Sequence, residues 1–402
     1  MAYNPIVVAP LSDEPQVFDI LKDPRLRLLQ PGAAGSATPD IFVYPCAKLI
    51  ALQPDDPAID PAMWRLLREG RARLVLDSST EGRPHTSQFS EAAHRALAGA
   101  GVPARQVTYL TQNRLYAADY TQWAKRQGLK DRVRIEQYDY YVRNFLVPYE
   151  AADERTLWRR EKAFRRRAAD RPRTFICLNR TLRVTKLAFL ARVMRDGLWD
   201  EGHISVGGFS KSMAKHKVTG RMARIAPFSD LASEIEPFLD AIEAHATPEA
   251  GVDFTRKVSD SLIAEHAQSY FTVVTETEME SRPIRITEKS LKPLANYHPF
   301  LIVGNPGALE ILKGMGFRSF AGAIDEAYDA ESDPRARFEL VYAEFRRLCG
   351  LGRSALCQLE RDVVDVLRHN ARRLILELPA LHAGTLDRRL VDTLIPVLET
   401  QP

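Results

Sequence analysis

The chain has 402 residues and a formal net charge of +4, with 45% hydrophobic and 27% charged residues. That length exceeds what one hydrophobic core normally serves, so two domains are expected. The balance is that of an ordinary soluble protein, and the mild positive charge favours anionic small molecules without demanding nucleic acid.

The elements follow in chain order. IFVYP (41–45), RLVLDSS (73–79) and QVTYLT (106–111) read as buried strands. AMWRLLREG (62–70), SEAAHRALAGAG (90–101) and YTQWAKRQGL (120–129) read as helices that stop at glycine, and RVRIEQYDYY as a further strand. Residues 151–173 form a charged helix and a proline-marked break, read as the domain connector. A second run begins with the strand TFICLN (174–179) and the helix TKLAFLARVMRDGLWD (185–200). HISVGGFS gives a strand and loop, and SYFTVVTE (269–276) and HPFLIVG give strands. Residues 335–402 are nearly all helical by pattern. Strand–helix alternation predicts an α/β fold with parallel sheets. The expected domains are 1–160, 170–334 and a helical segment 335–402 that braces the other two.

Ligands of such sheets lie outside the carboxyl ends of the strands, so the residues just after each strand carry the interest. Arg180, Arg183 and Lys186 fall around a helix entry after 174–179, where cations and helix N–H groups suit a phosphate or diphosphate; a solvated helix start is the alternative. Glu276 ends the strand 269–275. Thr287 is a helix cap, with Glu288 in the first turn. Lys289 and Lys292 place cations where the helix dipole disfavours them, which an anion would resolve. A carboxylate such as Glu288 suits ribose hydroxyls, and Glu276 sits where a cleft ligand would lie. In the first half, Asp77 and Glu81 are read as lying just past a strand, as candidate general bases or as turn caps, with His85 as a further candidate. SVGGFSKS (205–212) matches no phosphate-loop pattern, and RREKAFRRR (159–167) suits either nucleic acid or a solvated helix face. Cys46, Cys177, Cys349 and Cys357 show no CxxC spacing, which argues against a zinc site or a disulfide framework and for a reducing compartment. No basic, apolar leader opens the chain and no apolar run approaches the ~20 residues of a membrane span, so a cytoplasmic location is expected.

FICLNRTLRVTKLAFLARVMRDGL, VVTETEMESRPIRITEKSLKPLANYHPFLIVGNPGALEILKGMGFRSF and DEAYD together resemble the nucleotide-sugar-binding half of GT-B glycosyltransferases. They are similar to a bacterial and phage glycosyltransferase group and, more distantly, to the fucosyltransferases, over residues 174–330. Glu276 falls on the glutamate of the fucosyltransferase E-N-S motif, Glu288-Lys289 on its E-K, and Arg180 near its diphosphate arginine. The chain departs from that pattern at ANYHP and in a longer spacer between Glu276 and Thr287. The resemblance implies two Rossmann-like domains facing a cleft. It implies transfer of a sugar from a nucleoside-diphosphate sugar to a hydroxyl acceptor, with inversion, without a metal or other cofactor. Glu288 would hold the ribose, Lys289 and Arg180 the diphosphate, and Asp77 or Glu81 would activate the acceptor. The rival readings are a nucleotide-sugar epimerase or phosphorylase on the same scaffold, and a non-catalytic nucleic-acid-binding or phage-assembly protein.

Overall fold

The computed structural model describes residues 5–12, 16–30, 38–45, 61–179, 183–206, 231–245, 263–280, 282 and 284–395. The chain divides into two compact units, Met1–Val147 with Pro379–Pro402, and Pro148–Leu378. Each is an α/β unit built on a parallel sheet. The C-terminal helices are therefore shared out: those up to Leu378 belong to the second unit, and the last part of the chain to the first.

In the first unit the strands are β1 (Ile6–Pro10), β2 (Leu26–Leu28), β3 (Ile41–Pro45), β4 (Arg73–Ser78), β5 (Val107–Thr111) and β6 (Arg134–Gln137). They lie in the order β2-β1-β3-β4-β5-β6, all parallel. The inner strands read as unbroken apolar runs because both of their faces are covered. Phe42, Tyr44, Leu74 and Leu76 pack on one side with Leu67 and Trp123; Ile41, Val43, Val75 and Leu110 pack on the other with Tyr138 and Leu390. The helices are α1 (Pro61–Arg68), α2 (Ser87–Gly99), α3 (Tyr116–Arg126) and α4 (Tyr140–Leu146). The strand expected through Tyr140 and Tyr141 ends at Gln137 instead, and those tyrosines start α4. Tyr140 is buried there, which a helix achieves as well as a strand.

The second unit contains α5 (Glu154–Arg165), β7 (Phe175–Asn179), α6 (Val184–Arg195), β8 (Gly202–Val206), α7 (Ala232–His245), α8 (Ile263–Ala267) and β9 (Phe271–Thr275). After these come α9 (Glu288–Ala295), β10 (Phe300–Val303), α10 (Ala308–Gly314), α11 (Pro334–Cys349), α12 (Arg353–Asp362) and α13 (Val364–Arg372). The sheet order is β10-β9-β7-β8, again all parallel. Phe345 of α11 meets Phe175 of β7 and Phe189 of α6 edge to face at 4.9 and 5.1 Å, anchoring the helix to the sheet. Gly202 is required where β8 begins: a Cβ there would lie 2.4 Å from the ring of Phe175. Residues 207–212 of the SVGGFSKS loop fall outside the described residues.

Both sheets reverse direction once. In the first, the chain moves from β1 to β2 and then returns to the other side of β1 as β3; in the second it moves from β7 to β8 and returns beside β7 as β9. Ligand crevices in open parallel sheets form at such reversals, at the carboxyl ends of the strands. For the second unit that places the crevice at Asn179, Thr275 and whatever follows them.

The last helix, α14 (Asp387–Leu394), is tied into the first unit by a buried ion pair. Asp387 accepts from Tyr138 Oη at 2.8 Å and from Arg143 Nε at 2.9 Å, with Arg143 Nη2 at 2.9 Å. Burial pushes the Asp387 carboxyl up, but bonds from His382, Arg143 and Tyr138 outweigh it and hold the pKa below the usual carboxylate value. Asp387→Asn leaves the Arg143 charge buried without a counter-charge, at a cost of about 3–5 kcal/mol at pH 7. Because the folded pKa is the lower one, the wild-type advantage is full above the unfolded value near ~3.9 and fades as pH falls below it. Urea unfolding of both proteins at pH 7 and pH 3 should show a large gap that narrows; an unchanged gap at the two pH values would contradict the assignment.

Candidate functional site

The reversal in the second sheet is held open by side chains. Backbone pairing of β7 with β9 runs from Phe175↔Phe271 to Ile176↔Thr272. At the carboxyl ends, Thr275 Oγ1 instead donates to Asn179 Oδ1 at 2.7 Å, and the Asn179 N–H donates to Ser205 Oγ of β8 at 3.0 Å. Glu276 comes next, its N–H donating to Val303 O at 2.9 Å. Its carboxylate turns inward to the start of α9. Oε1 accepts from Ser290 Oγ at 2.8 Å and from the Thr287 N–H at 3.1 Å, and Oε2 accepts from Thr287 Oγ1 at 2.7 Å. Gly304 leaves the room for this: a Cβ there would meet Glu276 Cβ at 3.0 Å. Glu276 is buried and both of its oxygens are engaged, and it fixes where α9 begins.

Upon that anchor sit the charges. Lys289 Nζ donates to Thr287 Oγ1 at 2.9 Å and lies 3.3 Å from Glu288 Oε1 and 3.8 Å from Glu276 Oε2. Its side chain is a quarter exposed. Burial lowers its pKa, but the two carboxylates outweigh this and raise it above the ordinary lysine value. Glu288 is held below the ordinary glutamate value: burial pushes it up, and Lys289 and then Lys292 pull it further down. Lys292, one turn on, is half-buried.

Lys186 differs from the others. It sits in the first turn of α6, only 3% exposed, and its ammonium has no hydrogen-bond or ion-pair partner among the described residues. Burial and then the like charge of Lys289 bring its pKa down to about 8, against the opposing pull of Glu276. A buried ammonium without a counter-ion is costly, and a protein keeps one where something negative is to be bound. Arg183, the residue before α6, is exposed and reaches to 3.9 Å from Glu278, which also accepts from buried Arg285 at 2.9 Å. Arg285 and Ser290 escaped the sequence reading; their signal was their position, two residues before and three after the Thr287 cap. Arg180 lies outside the described residues.

Several residues that carry the resemblance are braces. Asp329 caps α10, accepting from the Leu309 N–H at 2.9 Å, and Glu326 accepts from the Phe320 N–H at 2.7 Å. Tyr328 Oη accepts from the Ile302 N–H at 3.3 Å. In ANYHP, Tyr297 takes a left-handed φ of 51°, unusual for a tyrosine. The neighbouring His298 Nε2 donates to Ser269 O at 2.9 Å, so Nδ1 accepts from Thr272 Oγ1 at 2.8 Å and the ring is neutral.

In the first unit Asp77 is not past β4 but its penultimate residue. Its Oδ2 accepts from the Val17 N–H at 2.7 Å and Oδ1 from the Ser79 N–H at 2.8 Å, and burial raises its pKa. Asp77 is thus a buried strap between strand and loop, the capping role, and we do not carry it forward as a base. Glu81 does lie past β4, on a half-buried turn, 3.9 Å from Arg83. His85 is lodged against Tyr116 and Trp123 with Nε2 2.9 Å from Ser90 Oγ, and burial lowers its pKa. Nearby at the strand ends, Gln16 Oε1, Ser78 Oγ and Gln112 Nε2 are buried without a hydrogen-bond partner among the described residues. Among the described residues no group of acidic, histidine and cysteine side chains could hold a metal ion, and no helix is long and apolar enough to cross a membrane.

No family model matches the chain, and no curated protein matches it. Among solved structures it is similar to an alpha,alpha-trehalose 6-phosphate synthase from Burkholderia multivorans, with 12% identity and a TM-score of 0.38 over 88% of this chain and 72% of that one. It is also similar to a UDP-forming alpha,alpha-trehalose-phosphate synthase from Burkholderia vietnamiensis, with 11% identity and a TM-score of 0.39 over 82% and 69%. At that identity and superposition neither neighbour assigns an activity to this chain.

The isolation of Lys186 has a stability consequence. Its folded pKa of about 8 is below the unfolded value, so the charged form is penalised in the folded protein at neutral pH. Lys186→Met should therefore stabilise the protein by roughly 1–3 kcal/mol at pH 7. The gain should shrink as pH rises from about 8 towards ~10.4, where the unfolded lysine also loses its proton. Chemical unfolding across pH 6–10 checks this; destabilisation at pH 7 would show that the ammonium is paired.

Proposed function

We propose that the chain is a GT-B glycosyltransferase that moves a sugar from a nucleoside-diphosphate donor to a hydroxyl acceptor. The observation that carries this is the buried side chain of Lys186 at the reversal of the second sheet, without a hydrogen-bond or ion-pair partner among the described residues and with Lys289 beside it. Two lysines converging there suit a diphosphate, and Arg183, exposed at the entry to α6, adds a third cation. Glu288, fixed as a carboxylate by Lys289, is the acceptor for ribose hydroxyls. The second unit is then the donor-binding half, and the first the acceptor half.

In the reaction, the acceptor oxygen attacks the anomeric carbon as the bond to the diphosphate breaks, which inverts that centre. The hydroxyl proton passes to a base, for which Glu81 remains the candidate. Negative charge grows on the departing diphosphate, and the ammonium groups of Lys186 and Lys289 stabilise it more in the transition state than in the ground state. These cations supply the stabilisation that a divalent ion supplies elsewhere, so no metal is required. The uncommitted polar atoms of Gln16, Ser78 and Gln112 are suited to an acceptor rich in hydroxyls.

A nucleic-acid-binding reading has one observation of its own: Arg155 and Lys162 of α5, and Arg166 just after it, are exposed, as is Trp158 at 57%. The two readings part in one experiment. Calorimetry with UDP, GDP and dTDP should find at least one that binds, with affinity unaffected by EDTA. Lys289→Ala should weaken it by roughly ten- to a hundred-fold, the worth of a charge-assisted hydrogen bond. Binding of none of the three, with steeply salt-dependent binding of an oligonucleotide, would overturn the transferase reading.

A further inference from the structure

The second unit has a cavity away from the start of α9, at that helix's other end. It measures about 320 Å³ and lies between α5 and the Ala295–Tyr297 turn. Its floor is apolar, formed by Ala163, Phe164, Ala267 and Tyr297, with the rings of Phe164 and Tyr297 stacked at 5.0 Å. Its rim carries Arg159, Arg160 and Arg167.

Part of that basic rim has a structural explanation. Arg160 Nη1 donates to Ala295 O at 3.4 Å, Arg167 Nη1 donates to Tyr297 O at 3.1 Å, and Arg167 Nη2 donates to Asn296 O. Arginines at a helix C-terminus satisfy carbonyls that have no partner within the helix. The charge is not balanced by this. A helix end contributes about half a negative charge against the guanidinium groups of Arg159 and Arg167. The acids nearby are committed elsewhere: Glu161 to Arg165 and Arg368, and Glu360 to Arg171. Arg167 has no carboxylate partner among the described residues, and burial brings its pKa down to about 10. Among the described residues Arg159 has no hydrogen-bond or ion-pair partner that would explain its place on the rim. Tyr297, meanwhile, holds a strained φ of 51° that keeps its ring on the floor, and such strain is concentrated where a ligand is held.

We propose that this cavity binds a small organic anion, a phosphate or carboxylate attached to a flat apolar ring. The guanidinium forks take the oxyanion, and the Phe164–Tyr297 stack takes the ring. The volume is at the small end of ligand pockets, roughly 300–1,000 Å³, which fits one ring and its anionic group. This proposal does not depend on the function proposed above.

Phenyl phosphate and benzoate are the probes, titrated into the full chain by calorimetry and by ligand-observed NMR, with phenol and inorganic phosphate as the half-ligands. At least one probe should saturate a single site, with both half-ligands at least tenfold weaker. The preferred probe distinguishes phosphate from carboxylate. Arg159→Ala, on an exposed position, should weaken the probe about tenfold, and Ala163→Leu should abolish binding by filling the cavity. Neither should alter the melting temperature much. Saturating UDP should leave probe binding intact. Absence of saturable binding by both probes, binding indifferent to both variants, or displacement by UDP would each overturn the proposal.

Discussion

Everything at the second unit's reversal depends on where one carboxylate points. Glu276 could have faced outward from the end of β9; instead it accepts three hydrogen bonds from Thr287 and Ser290. Those bonds replace the water the carboxylate loses on burial, and without them the charge would not survive there. In return they set the first turn of α9 against the strand ends. Lys289 and Glu288 project from that turn, and Lys289 is close enough to Lys186 to depress its pKa. A single buried acid thus anchors the turn that carries Lys289 close to Lys186.

The two units hold buried charge differently. Asp387 and Arg143 in the first unit show what a buried charge looks like when it serves the fold: both are fully buried and each is matched to the other. Lys186 is buried too, and among the described residues no carboxylate pairs with it. The contrast within one chain sets a structural ion pair against the cation on which the proposed function rests. The cavity at the far end of α9 is basic too: Arg160 and Arg167 cap its three carbonyls, and Arg159 stands beside them. The eight-residue α9 is about 12 Å long, so a short rigid element connects the two basic regions.

Much of the architecture was legible because the inner strands are covered on both faces and so appear as apolar runs. IFVYP, FICLN and FLIV needed no context. IVVAP, which forms β1, was passed over, and LRL of β2 is a three-residue edge with little to announce it. Tyr140 and Tyr141 misled because aromatic residues suit a strand as well as a buried helix. For the candidate site, local sequence gives the places of Lys289, Glu288 and Lys186 after strands. The partners each one meets are not legible, because they lie far along the chain. Nothing near Glu276 announces a bond to Ser290, nor near Asp77 a bond to Val17. The isolation of Lys186 is the least legible fact of all, since it is a property of everything that surrounds it.

The central claim is that a diphosphate completes the charge balance of Lys186. With a free pKa of about 8, that lysine is about half protonated at pH 8, and an anion beside it would draw the proton on. Calorimetry of UDP or GDP binding at pH 8, in two buffers of different ionisation enthalpy, counts the protons exchanged. The account predicts uptake of about half a proton per nucleotide bound, lost in Lys186→Met along with most of the affinity. Tight nucleotide binding with no proton uptake, unchanged in Lys186→Met, would contradict it.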